Sequence, residues 1–150
     1  MIKFSVYGLP GPQGSKKAMG RTKTGRTILV ESSAKVKPWR ESVKWAAMQA
    51  GARIPDGPLW VSMVFTLPKP KSAPKRRQTF PATKPDLSKL ARSTEDAISD
   101  SGLWPDDARV VEYVSLAKRY PGEGVDALDR PGCVVTIWTE AEMWPIRVAA

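Results

Sequence analysis

The segment that most constrains the fold of this 150-residue chain is the one from position 68 to position 85, which contains five prolines. Proline has a fixed φ and no backbone N–H, so it interrupts the interior of both helices and sheets. The same segment carries six basic residues. We therefore predict an extended basic loop over residues 68–85, which separates the regular structure on either side of it.

Three elements are predicted before this loop, and the basic stretch from Ser15 to Lys37 is expected to form a loop or a hairpin, with a short strand at Thr27–Val30. Apolar and polar residues alternate over 2–7 and again over 59–67, which predicts two strands, each with one apolar face. Between them, a proline suited to the first turn of a helix is followed by apolar residues at helical spacing over 38–50. Trp39 and Trp45 on this helix are expected to pack in the core rather than to stack on bases.

After the loop, the pattern predicts one more helix and two more strands. Apolar residues recur at helical spacing over 87–98, with Asp86 in the N-cap position. Residues 110–118 and 133–138 form the strands, joined through a turn rich in proline and glycine. These elements predict a single α+β domain, in which a mixed sheet of about four to five strands packs with two main helices.

The net charge of +9 is unevenly distributed. Residues 1–84 carry a surplus of +14, whereas residues 85–150 carry −5. This segregation favours a polyanionic partner together with a cation site, although the positive charge could serve solubility alone. Basic loops at about 8–37 and 68–85 are expected to contact DNA phosphates through Lys16, Lys17, Arg21, Lys69, Lys71, Lys75, Arg76, Arg77 and Lys84.

Several classes of protein and of site are disfavoured by what the sequence lacks. It has no histidine, which excludes histidine catalysis, and its single Cys133 has no partner for a disulfide or a thiolate metal site. No Walker loop follows the first strand, and no signal peptide or membrane-length apolar run is visible, which predicts a cytoplasmic protein. An RNA-binding module is less favoured because no aromatic-rich strand is present.

Whether the C-terminal tail, 141–150, packs through Trp144 is left open.

Six of the fifteen acidic residues fall within 22 positions that begin at Asp86 and end at Asp107. Asp86 precedes the second helix, and Asp106 and Asp107 precede the next strand. If the sheet brings them together, their carboxylates form an oxygen-ligand site suited to Mg²⁺, which assists phosphodiester hydrolysis. The alternative is that Asp86 only caps a helix and that Asp106 and Asp107 form a solvated turn.

The order of motifs in this region resembles the RusA family of Holliday-junction resolvases. The motifs are Lys84-Pro85-Asp86-Leu87-Ser88-Lys89-Leu90-Ala91-Arg92, then Glu95-Asp96-Ala97-Ile98, then Gly102-Leu103-Trp104-Pro105-Asp106-Asp107. The family pattern reads approximately Pro-Asp-x-Asp-Asn-Leu-x-Lys, a helix with Asp-Ala-Leu, and Gly-x-x-x-Asp-Asp before a strand. The N-terminal strand, its Gly/Pro loop and the basic stretch are also similar to this family.

The resemblance implies a homodimeric, Mg²⁺-dependent endonuclease of phage or prophage type that acts in a bacterial host and nicks paired strands of four-way DNA junctions. Mn²⁺ would be a possible substitute for Mg²⁺. The metal-binding aspartates fall on Asp86, Asp107 and Asp106, and the family's essential lysine falls on Arg92.

Two departures from the family pattern matter. Ser88 replaces the second aspartate of the first motif, so metal affinity should fall unless Asp96 or a water fills the gap. Arg92 keeps the charge of the family lysine but exchanges a proton poorly, and Lys89 on the same helix face could take that role.

Two alternatives to a four-way junction nuclease remain. One is a branched-DNA-binding protein that does not cut, and the other is a nuclease that acts on flaps or forks.

Overall fold

The computed structural model describes residues 1–14, 16–31 and 34–148. Within these ranges, six strands and three helices form, together with a short 3-10 turn at Asp107–Arg109. The strands are β1 (Ile2–Tyr7), β2 (Lys16–Arg21), β3 (Thr27–Glu31), β4 (Leu59–Thr66), β5 (Val110–Arg119) and β6 (Gly132–Thr139). The helices are α1 (Val36–Ala50), α2 (Leu87–Ser101) and α3 (Glu140–Val148).

The main sheet has the strand order β1-β6-β4-β5. β6 pairs antiparallel with both β1 and β4, whereas β4 and β5 run parallel. A parallel pair needs a long crossover, and the basic loop followed by α2 supplies it. Because α2 lies inside this crossover, the carboxylates at its start and those before β5 belong to one structural unit.

The helices α1 and α2 pack against each other and form the core with the sheet. Trp39 of α1 is central to this packing, since only 2% of it is exposed. Its indole N–H donates to the Thr94 hydroxyl on α2 at 3.1 Å. Its ring lies 6.4 Å from that of Phe65 on β4, measured between centroids. One side chain therefore connects both helices to the central strand.

The predicted α+β class and mixed sheet are confirmed. β2 and β3 form a separate antiparallel hairpin, with Thr22 N donating to Arg26 O at 2.8 Å in its turn. The expectation for Trp45 was wrong: this side chain is 64% exposed, because it lies on the opposite side of α1 from the buried positions.

The C-terminal segment forms α3 rather than an irregular tail, and the side chain of Met143 on this helix is buried. Trp144 does not anchor this segment, since it points outward and is 64% exposed. Within the described ranges, no helix has the length and apolar character needed to cross a membrane.

Candidate active site

The start of α2 presents Asp86 to the surface. Asp86 occupies the N-cap position with extended backbone angles, yet its side chain makes no capping hydrogen bond. Its carboxylate lies 3.4 Å from the Lys89 ammonium, and both side chains are about half exposed. Lys118 on β5 fixes the preceding loop by donating to Thr83 O at 2.8 Å and to Pro85 O at 3.0 Å. Asp86 is therefore held in place but left available to a ligand.

The carboxylates before β5 are held by the 3-10 turn. Asp106 caps that turn, since its Oδ1 accepts from Ala108 N at 2.8 Å. Removal from water raises the pKa of Asp107, and a hydrogen bond with Asp106 raises it further. The negative charges of Asp96 and Asp106 act in the same direction. Such crowding of like charge is the arrangement that a bound cation relieves.

Glu95 lies beneath this group and is 9% exposed. It accepts a hydrogen bond of 2.5 Å from the Tyr113 hydroxyl on β5. Burial raises the pKa of Glu95; the Tyr113 hydrogen bond lowers it, and the charges of Asp107 and Asp96 raise it. Burial and the Glu95 contact likewise raise the pKa of the Tyr113 phenol. The pair connects the middle of α2 to β5, and the charges of Asp107 and Asp96 act on it.

The raised pKa of Glu95 predicts a pH-dependent stability. Its contribution to stability is fully present below the ordinary pKa of 4.5 and is lost as the pH rises through the higher value in the folded protein. Glu95→Gln removes the buried charge and keeps a carbonyl acceptor for Tyr113. We expect this variant to melt at a higher temperature than the unmodified chain at pH 7 in EDTA, and the gap to close below pH 4.5.

Calorimetry across this pH range checks the prediction, with the exposed Glu41→Gln on α1 as the control. A lower melting temperature for Glu95→Gln at pH 7 would contradict it. That result would mean that the charged hydrogen bond with Tyr113 outweighs the cost of burial.

The predicted site residues fall into two groups. Asp107 interacts with Asp96 and Asp106, whereas the contact of Asp86 is with Lys89. Ser88, Arg92 and Asp96 follow one another at i, i+4 and i+8 and so share one face of α2. In the ranges that the structure describes, no three acidic or cysteine side chains converge as a ready metal site. The donor chemistry, carboxylate oxygens held near one another in partial burial, nevertheless suits a hard divalent cation.

Three residues near these groups were missed by sequence reasoning: Gln13, Glu95 and Tyr113. Glu95 was part of the acidic cluster, but its burial could not be inferred without the position of β5. Tyr113 reads as an ordinary strand residue, and Gln13 lies in a Gly/Pro loop. Nothing in the local sequence indicates that this loop packs against α2.

The basic residues of the loop over 68–85 are not equivalent. Lys71, Lys75, Arg76, Arg77 and Lys84 are exposed, as is Arg21 on the hairpin. The ammonium of Lys69 instead pairs with the Glu123 carboxylate, and its side chain is 20% exposed. The side chains of Lys16 and Lys17 lie outside the described part of the chain.

A cleft of about 750 Å³ runs from the Gly/Pro loop past the end of the basic loop to Asp86 and Lys89. Its walls are rich in proline, and Lys84 and Lys89 contribute positive charge. The cleft therefore leads from the basic loop to the start of α2.

Residues 10–128 match a protein-family model described as endodeoxyribonuclease RusA. This match spans the Gly/Pro loop, both long helices, the basic loop and all the acidic positions discussed above. No curated protein matches the chain.

Proposed function

Because the chain belongs to the RusA family of endodeoxyribonucleases, we propose that it nicks four-way DNA junctions in a reaction that requires Mg²⁺. The observation that carries the proposal is the crowding of Asp107 with Asp96 and Asp106 on the α2–β5 unit that also presents Asp86. Carboxylates gathered beside a basic surface suit a cation that acts on a phosphodiester.

In this proposal, Asp86, Asp106 and Asp107 hold the cation, with Asp96 and Ser88 contributing oxygen atoms. When bound, Mg²⁺ supplies charge neutralisation and activation of water, and Mn²⁺ can substitute for it. Arg92 stands between Ser88 and Asp96 on the same helix face, and it neutralises the phosphate as the P–O bond breaks. Lys89, beside Asp86, gives a proton to the oxygen that leaves phosphorus.

The role of Lys89 is tested by Lys89→Ala. We expect cleavage of a four-way junction to slow by about 100-fold, the lower end for loss of a proton-transfer group, since Arg92 remains in place. Single-turnover cleavage measures this, with the exposed Lys44→Ala on α1 as the control. Cleavage at the unmodified rate would remove Lys89 from the mechanism.

The exposed part of the basic loop is proposed to bind DNA phosphates. Each phosphate that a protein neutralises changes the slope of log affinity against log salt by about 0.9. Replacing Lys75, Arg76 and Arg77 together by alanine should therefore flatten that slope by nearly 3, counted as about 0.9 per residue. Junction binding measured in EDTA from low to physiological salt tests this, and Lys44→Ala should leave the slope unchanged. An unaltered slope in the triple variant would place the DNA elsewhere.

The function itself is tested with the unmodified protein on a labelled four-way junction, a fork, a flap and a linear duplex, each with Mg²⁺, Mn²⁺ or EDTA. Paired nicks near the crossover of the junction, present only with metal, are the expected result. Faster cutting of the fork or flap would assign the nuclease to other branched DNA. Tight junction binding without any cutting would favour the alternative of a branched-DNA-binding protein that does not cut. The observation that favours this alternative is Ser88, which stands where the family pattern has a carboxylate.

Paired nicks also require two active sites, and we propose that the chain acts as a homodimer in the bacterial cytoplasm. An isologous dimer presents two identical sites related by its axis, which places one on each of two opposing strands. The exposed apolar side chains of Val111 and Val114 on β5, next to the acidic cluster, are available for such contacts. Light scattering in solution should give twice the chain mass of 16.5 kDa, and a monomer mass would oppose the proposal.

A further inference from the structure

Phe80 is an exposed aromatic side chain within the basic loop. It is 60% exposed, and it follows the exposed cations Lys75, Arg76 and Arg77 in the sequence. Isolated apolar side chains are common on protein surfaces, so the surroundings of Phe80 decide whether it has a role. An aromatic residue in a loop that also presents several cations is typical of surfaces that bind unpaired nucleic-acid bases.

The backbone around Phe80 is fixed from both sides. The side-chain amide of Gln78 donates to Glu123 O at 3.3 Å, and the Lys118 ammonium donates to Thr83 O at 2.8 Å. The chain is therefore held just before Phe80 and just after it. Because this part of the loop is already ordered, the ring loses little conformational freedom when it binds a ligand.

The orientation of the Phe80 ring is set by Arg119 at the end of β5. The guanidinium carbon of Arg119 lies 5.6 Å from the ring centroid, which is a cation–π distance. Arg119 Nη1 donates to Lys118 O at 2.8 Å, and a Cβ atom on Gly124 would lie 3.0 Å from Arg119 Nε, so a larger residue there would crowd the guanidinium. The ring is held by the fold and is still mostly open to a ligand.

Phe80 lies close along the chain to the cleft that reaches the acidic residues. The next residue, Pro81, lines the cleft of about 750 Å³ together with Asp86. The six residue steps from Phe80 to Asp86 span at most about 20 Å, which is on the order of six nucleotide steps along one strand. DNA cut near its crossover at the aspartates therefore has its branch-point bases within reach of Phe80.

A base at a branch point differs from a base in a linear duplex in what covers its two faces. Inside a duplex, every base lies between two stacked neighbours, and an aromatic side chain gains contact only by unstacking them. At the centre of an open four-way junction, the last base pair of each arm has one face without a stacked neighbour. Every base has a π-face, so a ring can cover that face whatever the sequence.

We infer that Phe80 is a specificity-determining residue, which stacks on the uncovered face of a base at the branch point of the DNA. Branched DNA offers this contact and linear duplex does not, whereas the phosphate contacts of the basic loop are common to both. This inference rests on the proposed function, and it assigns the selection of branched DNA to the loop rather than to the acidic residues.

The test is the affinity of the full chain in EDTA for a four-way junction and for a linear duplex of the same sequence. Phe80→Ala should weaken junction binding about tenfold, within the range for one base–aromatic stack, and should leave duplex binding within about twofold. Phe80→Trp keeps a stacking ring and should keep the preference for the junction, whereas Phe80→Leu should lose it. Trp45→Ala, which removes an exposed aromatic side chain outside the basic loop, is the control and should change neither affinity.

The stacked base is identified with junctions that each lack one base next to the branch point. Loss of the base that contacts Phe80 should weaken binding by the unmodified chain about tenfold. It should not weaken binding by Phe80→Ala further, because the two changes remove the same contact. The inference is overturned if the effect of Phe80→Ala persists on every such junction or is equal on linear duplex.

Light scattering and melting temperatures in EDTA show whether Phe80→Ala keeps the assembly and the fold. A lower mass would assign Phe80 to a contact between protein chains and would overturn the inference. Phe80→Trp gives a reading that does not depend on the alanine variant, since loss of its junction preference would overturn the inference as well. Unaltered junction binding by Phe80→Ala, together with cleavage by the unmodified chain, would leave the proposed function standing, whereas an unmodified chain that neither prefers nor cuts the junction defeats both.

Discussion

Asp107→Asn is expected to reduce metal-dependent cleavage of a four-way junction by about 1,000-fold or more. Residues that only support a metal ligand already cost about 10- to 100-fold when they are changed, and a direct ligand should cost more. Asparagine removes the charge that draws the cation while it keeps the shape of the side chain. Single-turnover cleavage at saturating Mg²⁺, compared with junction affinity in EDTA, measures chemistry and binding separately.

Junction affinity should be unchanged or slightly higher in this variant, since a negative charge near the DNA is lost. Its melting temperature should not fall, because the crowding that raises the pKa of Asp107 is relieved. Asp129→Asn, an exposed aspartate in the turn before β6, is the matched control and should cut normally. Normal cleavage by Asp107→Asn would show that the reaction does not depend on this carboxylate.

The second large effect concerns stability rather than chemistry. Trp39→Ala should lower the free energy of unfolding by about 3–5 kcal/mol, the usual cost of truncating a buried aromatic side chain. The loss includes contact with Phe65 and the hydrogen bond to Thr94. Urea denaturation followed by circular dichroism measures it.

Trp45→Ala is the matched control, since it removes the same side chain from the exposed side of the same helix. Its effect should stay within about 0.5 kcal/mol, as for surface substitutions generally. Equal losses for both tryptophans would contradict the packing described for α1. Trp39→Phe separates the two contributions to the loss, because it keeps an aromatic ring but removes the indole N–H; its hydrogen-bond part should be about 1 kcal/mol.

Much of the fold followed from periodicity. The strands at 2–7, 110–118 and 133–138 and the helix after Asp86 occur close to where the pattern places them. On β4, in contrast, the expected single apolar face was too simple. Ser62, Val64 and Thr66 are buried as well. The second face of β4 is therefore also covered, and the Thr66 hydroxyl accepts from Leu128 N at 2.8 Å in the turn before β6.

The site was less accessible to sequence reasoning than the fold. The spacing of Asp86 and Asp107 gives no distance between them, and the burial of Glu95 depends on Tyr113, 18 positions away. Trp45 was misjudged because its size and apolar character were given more weight than its position, which lies opposite the buried stripe of α1. Gln13 depends on a loop-to-helix contact that no local pattern encodes.

The parallel pairing of β4 with β5 has a consequence for how the chain folds. Residues paired across these strands are about 50 positions apart, so the contact forms only after a long loop has closed. Contacts between α1 and α2 do not need that pairing, and we expect them to appear earlier in refolding. Asp107 enters the structure together with β5 and reaches Asp96 only at that late step. A refolding chain should therefore recover its helical circular dichroism before it recovers Mn²⁺ binding. The delay between the two signals would measure how long β5 takes to pair with β4.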